Sequence, residues 1–261
     1  MLTNNRLKKI LQIMEEEGDV RISELSQQLG VSEATVRRDL DNLHADEKVL
    51  RVHGGAVLKE RPLFEAPVQR RMRQNEQEKK AIARAAADMI GTGEAVFLGS
   101  GTTTMEIARL LVDCQELSVV TNSLLVAQTL ATCEGINLIF LGGFLRSGEL
   151  SFIGHITEQA IKEVRVDKII MGIPAIDVKA GLTNDYLPEV MTDRAILAME
   201  AELIIVADNT KFGKTASAYI APVTRIASLV TDSHTDTNTL QELRKAGIKV
   251  IVAELKRDDA V

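Results

Sequence analysis

Apolar residues recur at helical spacing from the beginning of the chain. Leu7, Ile10, Leu11 and Met14 fall at i, i+3, i+4 and i+7, one stripe that predicts a first helix, capped at Asn4 or Asn5 and stopped at Gly18. A second, short helix is expected from a cap at Ser23 to Gly30, with Leu25 and Leu29 facing inward. After Gly30-Val31, Ser32 can cap a third, which turns Val36, Leu40 and Leu43 inward. Two short helices joined by a glycine-containing turn form a helix-turn-helix. The period then changes. Residues 48–53 read as a strand, Gly54-Gly55 as a two-residue turn and residues 56–58 as the returning strand, a hairpin placed like a wing behind the third helix. Residues 59–67 hold two of the chain's five prolines and no periodicity, which marks a linker. One long helix is expected from about Gln69 to about Ile90, with Ile82, Ala86 and Met89 inward. Its early charges, Arg70, Arg71, Arg73, Lys79 and Lys80, read as a solvated face, the alternative being contact with DNA or with the wing domain.

Beyond residue 95 short β-rich runs alternate with helical stretches. Strands are predicted at 95–98, 118–121, 137–141, 167–171, 203–207, 227–231 and 249–252, and helices at 105–111, 124–130, 189–199 and 239–246. That alternation predicts βαβ units and an α/β domain whose parallel sheet is covered by helices. The expected organisation is a winged helix-turn-helix domain at residues 1–58, a linker at 59–68 and the α/β domain at 69–255.

The third helix carries candidate contacts with double-stranded DNA. At roughly 100° per residue, the inward stripe leaves Ala34, Thr35, Arg38, Asp41 and Asn42 on the opposite face, with Arg37 flanking it. A small residue such as Ala34 lets a helix enter a major groove closely. Thr35 and Arg38 would then reach base edges and Arg37 a phosphate, while Ser32 and the first free N–H groups suit another phosphate. Arg51 and His53 would place donors beside the DNA backbone. The plain alternative is a three-helix packing module with a solvated polar face.

In parallel sheets ligands bind at the carboxyl ends of the strands, so the loops there are the second candidate. Gly99-Ser100-Gly101-Thr102-Thr103-Thr104 follows a strand and opens a helix, which combines backbone N–H groups, a helix N-terminus and three threonine hydroxyls around an anion. It lacks the Gly-Lys-Ser/Thr of a Walker loop, and Thr104 stands where the dinucleotide fingerprint needs its third glycine. A pocket for one phosphate of a small molecule remains. Thr121-Asn122, Gly142-Gly143 with Arg146, and Asp208 with Lys211 lie at further strand ends and would offer an anionic polyol charge and hydrogen-bonding partners. Each has a structural alternative: a turn residue for Asn122, a surface charge for Arg146, a surface ion pair for Asp208 and Lys211.

Composition narrows the field. The 261 residues are 45% apolar and 26% charged, ordinary globular usage. Aromatic residues make up 3% with no Trp, which disfavours sugar-stacking lectins and single-strand binders built on aromatic platforms. Cys114 and Cys133 have no paired spacing, so no disulfide framework, metal site or cofactor is expected. No apolar run approaches 18 residues and the first residues turn polar quickly, so neither a membrane span nor a signal peptide is expected, and the chain reads as cytoplasmic. The net charge of −6 weighs against nucleic acid, as do ten Lys/Arg against eleven Asp/Glu in residues 1–61. A DNA contact needs only a local basic surface, however, and the lack of a basic excess predicts modest non-specific affinity and modules that act in pairs or larger sets.

Ser32-Glu33-Ala34-Thr35-Val36-Arg37-Arg38-Asp39-Leu40, followed by Arg51-Val52-His53-Gly54-Gly55-Ala56, resembles the winged helix-turn-helix of the DeoR family of bacterial sugar-metabolism repressors. Glu47 stands where that family usually has a glycine before the wing strand. The strand-end loops, with Gly181-Leu182-Thr183 and Glu189, resemble the same family's C-terminal domain, which is similar to ribose-5-phosphate isomerase, glucosamine-6-phosphate deaminase and CoA transferases. The resemblance implies that the residue 99–104 loop holds a sugar phosphate, that Asp208 and Lys211 lie across the same cleft, and that Thr183 and Glu189 belong to it. Many members carry Asp where this chain has Gly99.

The expectation is therefore a homo-oligomeric repressor of a sugar catabolism or transport operon, with no catalytic residues, released from operator DNA by a phosphorylated sugar. The alternative is a sugar-phosphate isomerase or deaminase fused to a DNA-binding module, with Asp208, Lys211 and Glu189 as acid–base groups. A constitutive DNA binder with an idle loop is the third possibility.

Overall fold

The computed structural model describes residues 3–17, 20–46, 48–52, 54–58 and 68–255. The chain divides into two compact units, Met1–Arg70 and Arg71–Val261. In the smaller, α1 (Thr3–Glu17), β1 (Val20–Arg21), α2 (Ile22–Leu29), α3 (Glu33–Ala45), β2 (Val49–Val52) and β3 (Gly55–Leu58) surround a core built on Ile10, Met14, Leu25, Val36, Leu40 and Leu43. Each such side chain contributes about 1.5–3 kcal/mol by leaving water. Gly30 closes α2 at φ 63, and the Val31 N–H donates back to the Ser26 carbonyl at 3.2 Å. Ser32 then caps α3, its hydroxyl accepting from the Thr35 N–H at 3.3 Å.

Two local expectations are corrected. The α2 helix begins at Ile22, so Arg21 and not Ser23 stands at its cap, because Arg21 is still paired as a strand with Gly55. Gly55 is likewise a strand residue rather than half of the turn: Val52 pairs with it, and β1 adds a further strand in the order β1-β3-β2. A Cβ at Gly55 would stand 2.0 Å from the Val20 carbonyl oxygen, so close backbone approach is what this position requires.

Asp39 interrupts the polar face of α3 by pointing inward. It is 1% exposed, and its carboxylate takes both Nε (2.5 Å) and Nη2 (3.0 Å) of Arg6, a fork that ties α3 to α1.

The larger unit begins with α4 (Val68–Arg71), which spans the boundary, and α5 (Glu76–Ala87). Next come β4 (Ala95–Leu98), α6 (Thr102–Leu110), β5 (Leu117–Thr121), α7 (Leu124–Leu130), β6 (Ile136–Phe140), β7 (Phe144–Arg146), β8 (Ser151–Ile153) and α8 (His155–Lys162). The chain continues through β9 (Lys168–Met171), β10 (Ala175–Asp177), β11 (Gly181–Asn184), α9 (Leu187–Leu197), β12 (Glu202–Val206), β13 (Ala218–Ala221), β14 (Ser228–Asp232), α10 (Thr237–Lys245) and β15 (Lys249–Ala253). Seven strands form one parallel sheet in the order β15-β14-β12-β9-β4-β5-β6. Alternation along the strands sends Val96 and Leu98 to one face, with Ile82, Ile107 and Leu130, and Phe97 to the other, with Ile161, Val190 and Leu243. A helix layer therefore covers each face.

The single long helix expected at 69–90 is broken. Asn75 sits at φ 50 between α4 and α5, and the Lys79 ammonium donates to the carbonyls of Arg71 and Gln74. A buried ammonium that takes the last carbonyl of α4 and that of Gln74 in the turn after it favours ending the helix there over continuing it. No helix of the described residues is long and apolar enough to cross a membrane.

Gly55→Ala should strain the β1–β3 pair and destabilise the smaller unit by about 1–3 kcal/mol. Peptide-resolved hydrogen exchange should quicken in residues 20–58 while the larger unit keeps its protection. Unchanged exchange would contradict the close approach.

Candidate functional site

The polar face of α3 is available to solvent. Ser32, Ala34, Arg37 and Arg38 are exposed and Thr35 is half-buried. Arg38 has no side-chain partner among the described residues, whereas Arg37 makes an exposed pair with Glu33 at 3.3 Å, too weak to hold it against a phosphate. The Thr35 hydroxyl lies 2.9 Å from that of Ser32. Arg51, expected beside DNA, is turned onto its own unit: it reaches Asp41 at 3.2 Å and the Gly55 carbonyl at 3.1 Å, fastening the wing to α3. His53 and Glu47 lie outside the described residues.

In the larger unit the chain runs from β4 to β5 and β6 on one side, then returns to β9 on the other. The loop after β4 thus sits at the point where strand order reverses, where a parallel sheet opens a crevice. Gly99 donates to the Ile170 carbonyl at 2.9 Å, and a Cβ there would stand 2.9 Å from Met171 Cβ, so Met171 fills the space an acidic side chain would need. Gly101 (φ 122) precedes α6, whose Met105 N–H returns to the Gly101 carbonyl at 3.2 Å. The N–H groups of the helix's first turn have no intrahelical acceptor.

The hydroxyls of this loop divide. Thr104 donates to the Gly101 carbonyl at 3.0 Å, which corrects the expectation of three ligand-facing threonines. Thr102 and Thr103, 3% and 8% exposed, have no hydroxyl partner among the described residues, and neither does the half-buried Ser100. Thr121 donates to the Leu98 carbonyl at 2.6 Å and accepts from the Ser123 N–H, so it braces the strand ends. Asn122 donates to the Phe152 carbonyl at 2.9 Å, while its Oδ1 is buried without a donor. That oxygen is a buried acceptor able to take a further donor.

Gly142 and Gly143 serve packing: a Cβ at Gly143 would meet Thr157 Oγ1 at 2.1 Å, and Thr157 donates to the Gly142 carbonyl at 2.8 Å. Thr183, on the smaller β10-β11-β13 sheet, accepts from the Ala216 N–H at 2.8 Å. Arg146 is no loose surface charge. It pairs with Glu189 and lies 4.4 Å from the centroid of the Tyr186 ring. Glu189 also accepts from Asn184 (2.9 Å) and Ser151 (3.2 Å). Burial, then the neighbouring Glu189 charge, pushes the Asp193 carboxyl well above the usual carboxylate range. Asp208 accepts from the Thr210 N–H (3.0 Å) and Asn75 (3.3 Å).

The structure adds residues that sequence reading left on a solvated face or did not single out. Arg71 pairs with Glu149, which is 6% exposed. Lys79, 4% exposed, is lowered to about 8 by burial, against the favourable charge of Asp208 and with Arg71 and Lys211 adding repulsion. A signal existed for Lys79: with Ile82, Ala83 and Ala86 it falls at i, i+3, i+4 and i+7, on the inward stripe. Loop threonines, Asn122, two Arg–Glu pairs and a lysine with a depressed pKa are what an anion-binding cleft needs.

A family model for the DeoR-like helix-turn-helix domain matches residues 6–61, and one for the DeoR C terminal sensor domain matches residues 74–233. The chain belongs to the DeoR family. The transcriptional repressor AccR of Agrobacterium fabrum is 36% identical over 255 residues, 96% of this chain and 98% of that one. The glycerol-3-phosphate regulon repressor of Escherichia coli (strain K12) is 34% identical over 243 residues, 93% of this chain and 96% of that one. Among solved structures, ribose 5-phosphate isomerase A of Methanocaldococcus jannaschii is similar at 17% identity and TM-score 0.40, over 53% of this chain and about half (55%) of that one. This DeoR-family chain is a DNA-binding transcriptional regulator and not an enzyme.

Lys79 gives the cleft a pH signature. Below about pH 8 it is charged and favours an anion; above, that charge is lost. The affinity of the protein for inorganic phosphate should fall severalfold from about pH 7 to about pH 9, and Lys79→Met should flatten the profile. An identical slope in the variant would remove Lys79 from the cleft's electrostatics.

Proposed function

We propose that this repressor controls a sugar catabolism or transport operon in the cytoplasm, and that a phosphorylated sugar bound at the carboxyl edge of the seven-stranded sheet releases it from its operator. One observation carries the reading: the hydroxyls of Thr102 and Thr103 have no partner among the described residues and stand at a helix N-terminus, at the reversal of strand order. The phosphoryl group lies over residues 99–103, and a sugar hydroxyl donates to the open Asn122 Oδ1. Arg146 and Glu189, locked together and buried beside Asn184, form the wall that the rest of the sugar meets.

On the DNA side, Arg38 reads base edges in the major groove and Arg37 a phosphate, with Thr35 and Ser32 at the helix start. Two copies held together by their larger units present paired α3 helices to half-sites about 34–36 Å apart or a multiple of that. The effector favours a different arrangement and weakens binding by the coupling free energy, typically about 1–3 kcal/mol.

Arg38→Ala should abolish specific operator binding, measured by fluorescence anisotropy on the neighbouring promoter, and leave sugar-phosphate affinity unchanged by calorimetry. A preserved footprint would show that α3 is not the reading element. Replacing Thr102 and Thr103 together by Val should leave operator affinity intact and make it insensitive to every pentose, hexose and triose phosphate that affects the parent protein. Persistence of the response would place the phosphate elsewhere.

A further inference from the structure

The cradle already has an anion beside it. Glu149 lies in the turn joining β7 and β8, and its Oε1 is 4.0 Å from where a Cβ would stand on Gly101, the residue that opens α6. Its carboxylate is paired with Arg71, both side chains being about nine-tenths buried. We infer that Glu149 is a built-in stand-in for the effector's phosphate, holding Arg71 in the ligand-free sensor and giving it up when a phosphomonoester enters the loop.

This inference rests on the proposed phosphate site and concerns how that site is switched. A guanidinium fork donates to two oxygens in one plane, which a carboxylate and a phosphoryl group present equally well. The phosphoryl group carries more charge and is also served by the Thr102 and Thr103 hydroxyls, which Glu149 leaves unpartnered. The two anions cannot comfortably share the place. Glu149 already lies within electrostatic reach of the buried Asp193, and another anion would add like-charge repulsion in a poorly solvated place. Entry of phosphate therefore favours departure of Glu149.

The hairpin turn is suited to such a departure. Leu150, the next residue, sits at φ 53, a conformation that leucine rarely adopts and that surrounding contacts must maintain. Its N–H donates to the Arg146 carbonyl at 2.8 Å, so the turn that carries Glu149 is continuous with the strand that carries Arg146. Arg71 is also where the chain enters the larger unit, and Lys79 grips its carbonyl. What Arg71 pairs with thus fixes the point from which the connection toward the DNA-binding unit departs.

The experiment uses the full chain and inorganic phosphate as the probe, with affinity read by calorimetry. Glu149→Gln, which removes the competing charge at constant shape, should bind phosphate at least tenfold more tightly than the parent. Arg71→Gln should weaken phosphate at least tenfold, alone or combined with Glu149→Gln. A second variant reports independently: in Glu149→Ala, added acetate should compete with phosphate, as it does not in the parent, because it refills the vacated place. Equal phosphate affinity in parent and Glu149→Gln, or no acetate competition in Glu149→Ala, overturns the displacement. If phosphate binds the parent and the Thr102, Thr103 double Val variant removes it, such a result leaves the cradle standing and sinks only Glu149's part. If neither phosphate nor any sugar phosphate binds the parent, both fall.

Discussion

Charge buried at the carboxyl edge of the seven-stranded sheet has to be matched by opposite charge or by hydrogen bonds, and much of the larger unit's local structure follows from that requirement. Lys79 enters on an otherwise apolar helical stripe, and the chain responds by ending α4 so that carbonyls of Arg71 and Gln74 can receive its ammonium. Asn75, placed by the break, spends its amide on Asp208. Glu189 gathers Arg146, Asn184 and Ser151 from three elements, and burial together with the Glu189 charge pushes the Asp193 carboxyl well above the usual carboxylate range. None of this is an economical way to hold a sheet together, since apolar side chains of similar volume often do as well or better in such places. Its retention points to use.

How much of this was legible in the sequence depends on the range of the interaction involved. The seven strands of the parallel sheet and most helices between them, α8 excepted, could be read because a strand buried on both faces is a run of apolar residues and a covering helix carries a stripe, both local patterns. The strands β7, β8, β10, β11 and β13 were not read. They hold three or four residues each, and Gly181-Leu182-Thr183-Asn184 carries no alternation that marks a strand without its partners. The glycine-rich loop was legible as the turn between a strand and a helix at the sheet's carboxyl edge. The division of its hydroxyls was not, because whether Thr104 turns back to Gly101 while Thr103 does not is settled by three-dimensional register alone. Glu149 and Arg71 are 78 residues apart, and nothing local in either neighbourhood announces the other.

The Arg37-Arg38-Asp39 sequence shows a limit of reading a motif as one unit. Three adjacent charged residues on α3 serve opposite ends: the arginines are exposed, while Asp39 is turned into the fold and taken by Arg6. A helical step of roughly 100° makes that separation unavoidable, because a residue beside an outward one is already well around the helix. It also bears on the chain's acidic balance. Asp39 is neutralised from α1 and Asp41 from the wing by Arg51, so part of the acidity counted in the first sixty-one residues is matched within the unit. Each of those pairs removes a cation with every anion, so the balance is unchanged; a duplex responds to the local field of the exposed Arg37 and Arg38 rather than to the sum.

A sensor that must change state faces a difficulty that a rigid pocket does not: moving a buried charge leaves its former partner exposed to the full cost of being unpaired. Exchange of one anion for another on the same arginine avoids that cost. If Arg71 passes from a carboxylate to a phosphoryl group, its own desolvation is compensated in both states, and only the expelled Glu149 has to find water, which a carboxylate in a hairpin turn can do without disturbing the sheet. The free energy available for moving the chain is then the difference between the effector's affinity for the two arrangements, not its whole binding energy. A small difference suffices. If the operator complex is held, as proposed, by a few exposed cations on paired modules, a coupling of about 1–3 kcal/mol shifts it by roughly one to two orders of magnitude.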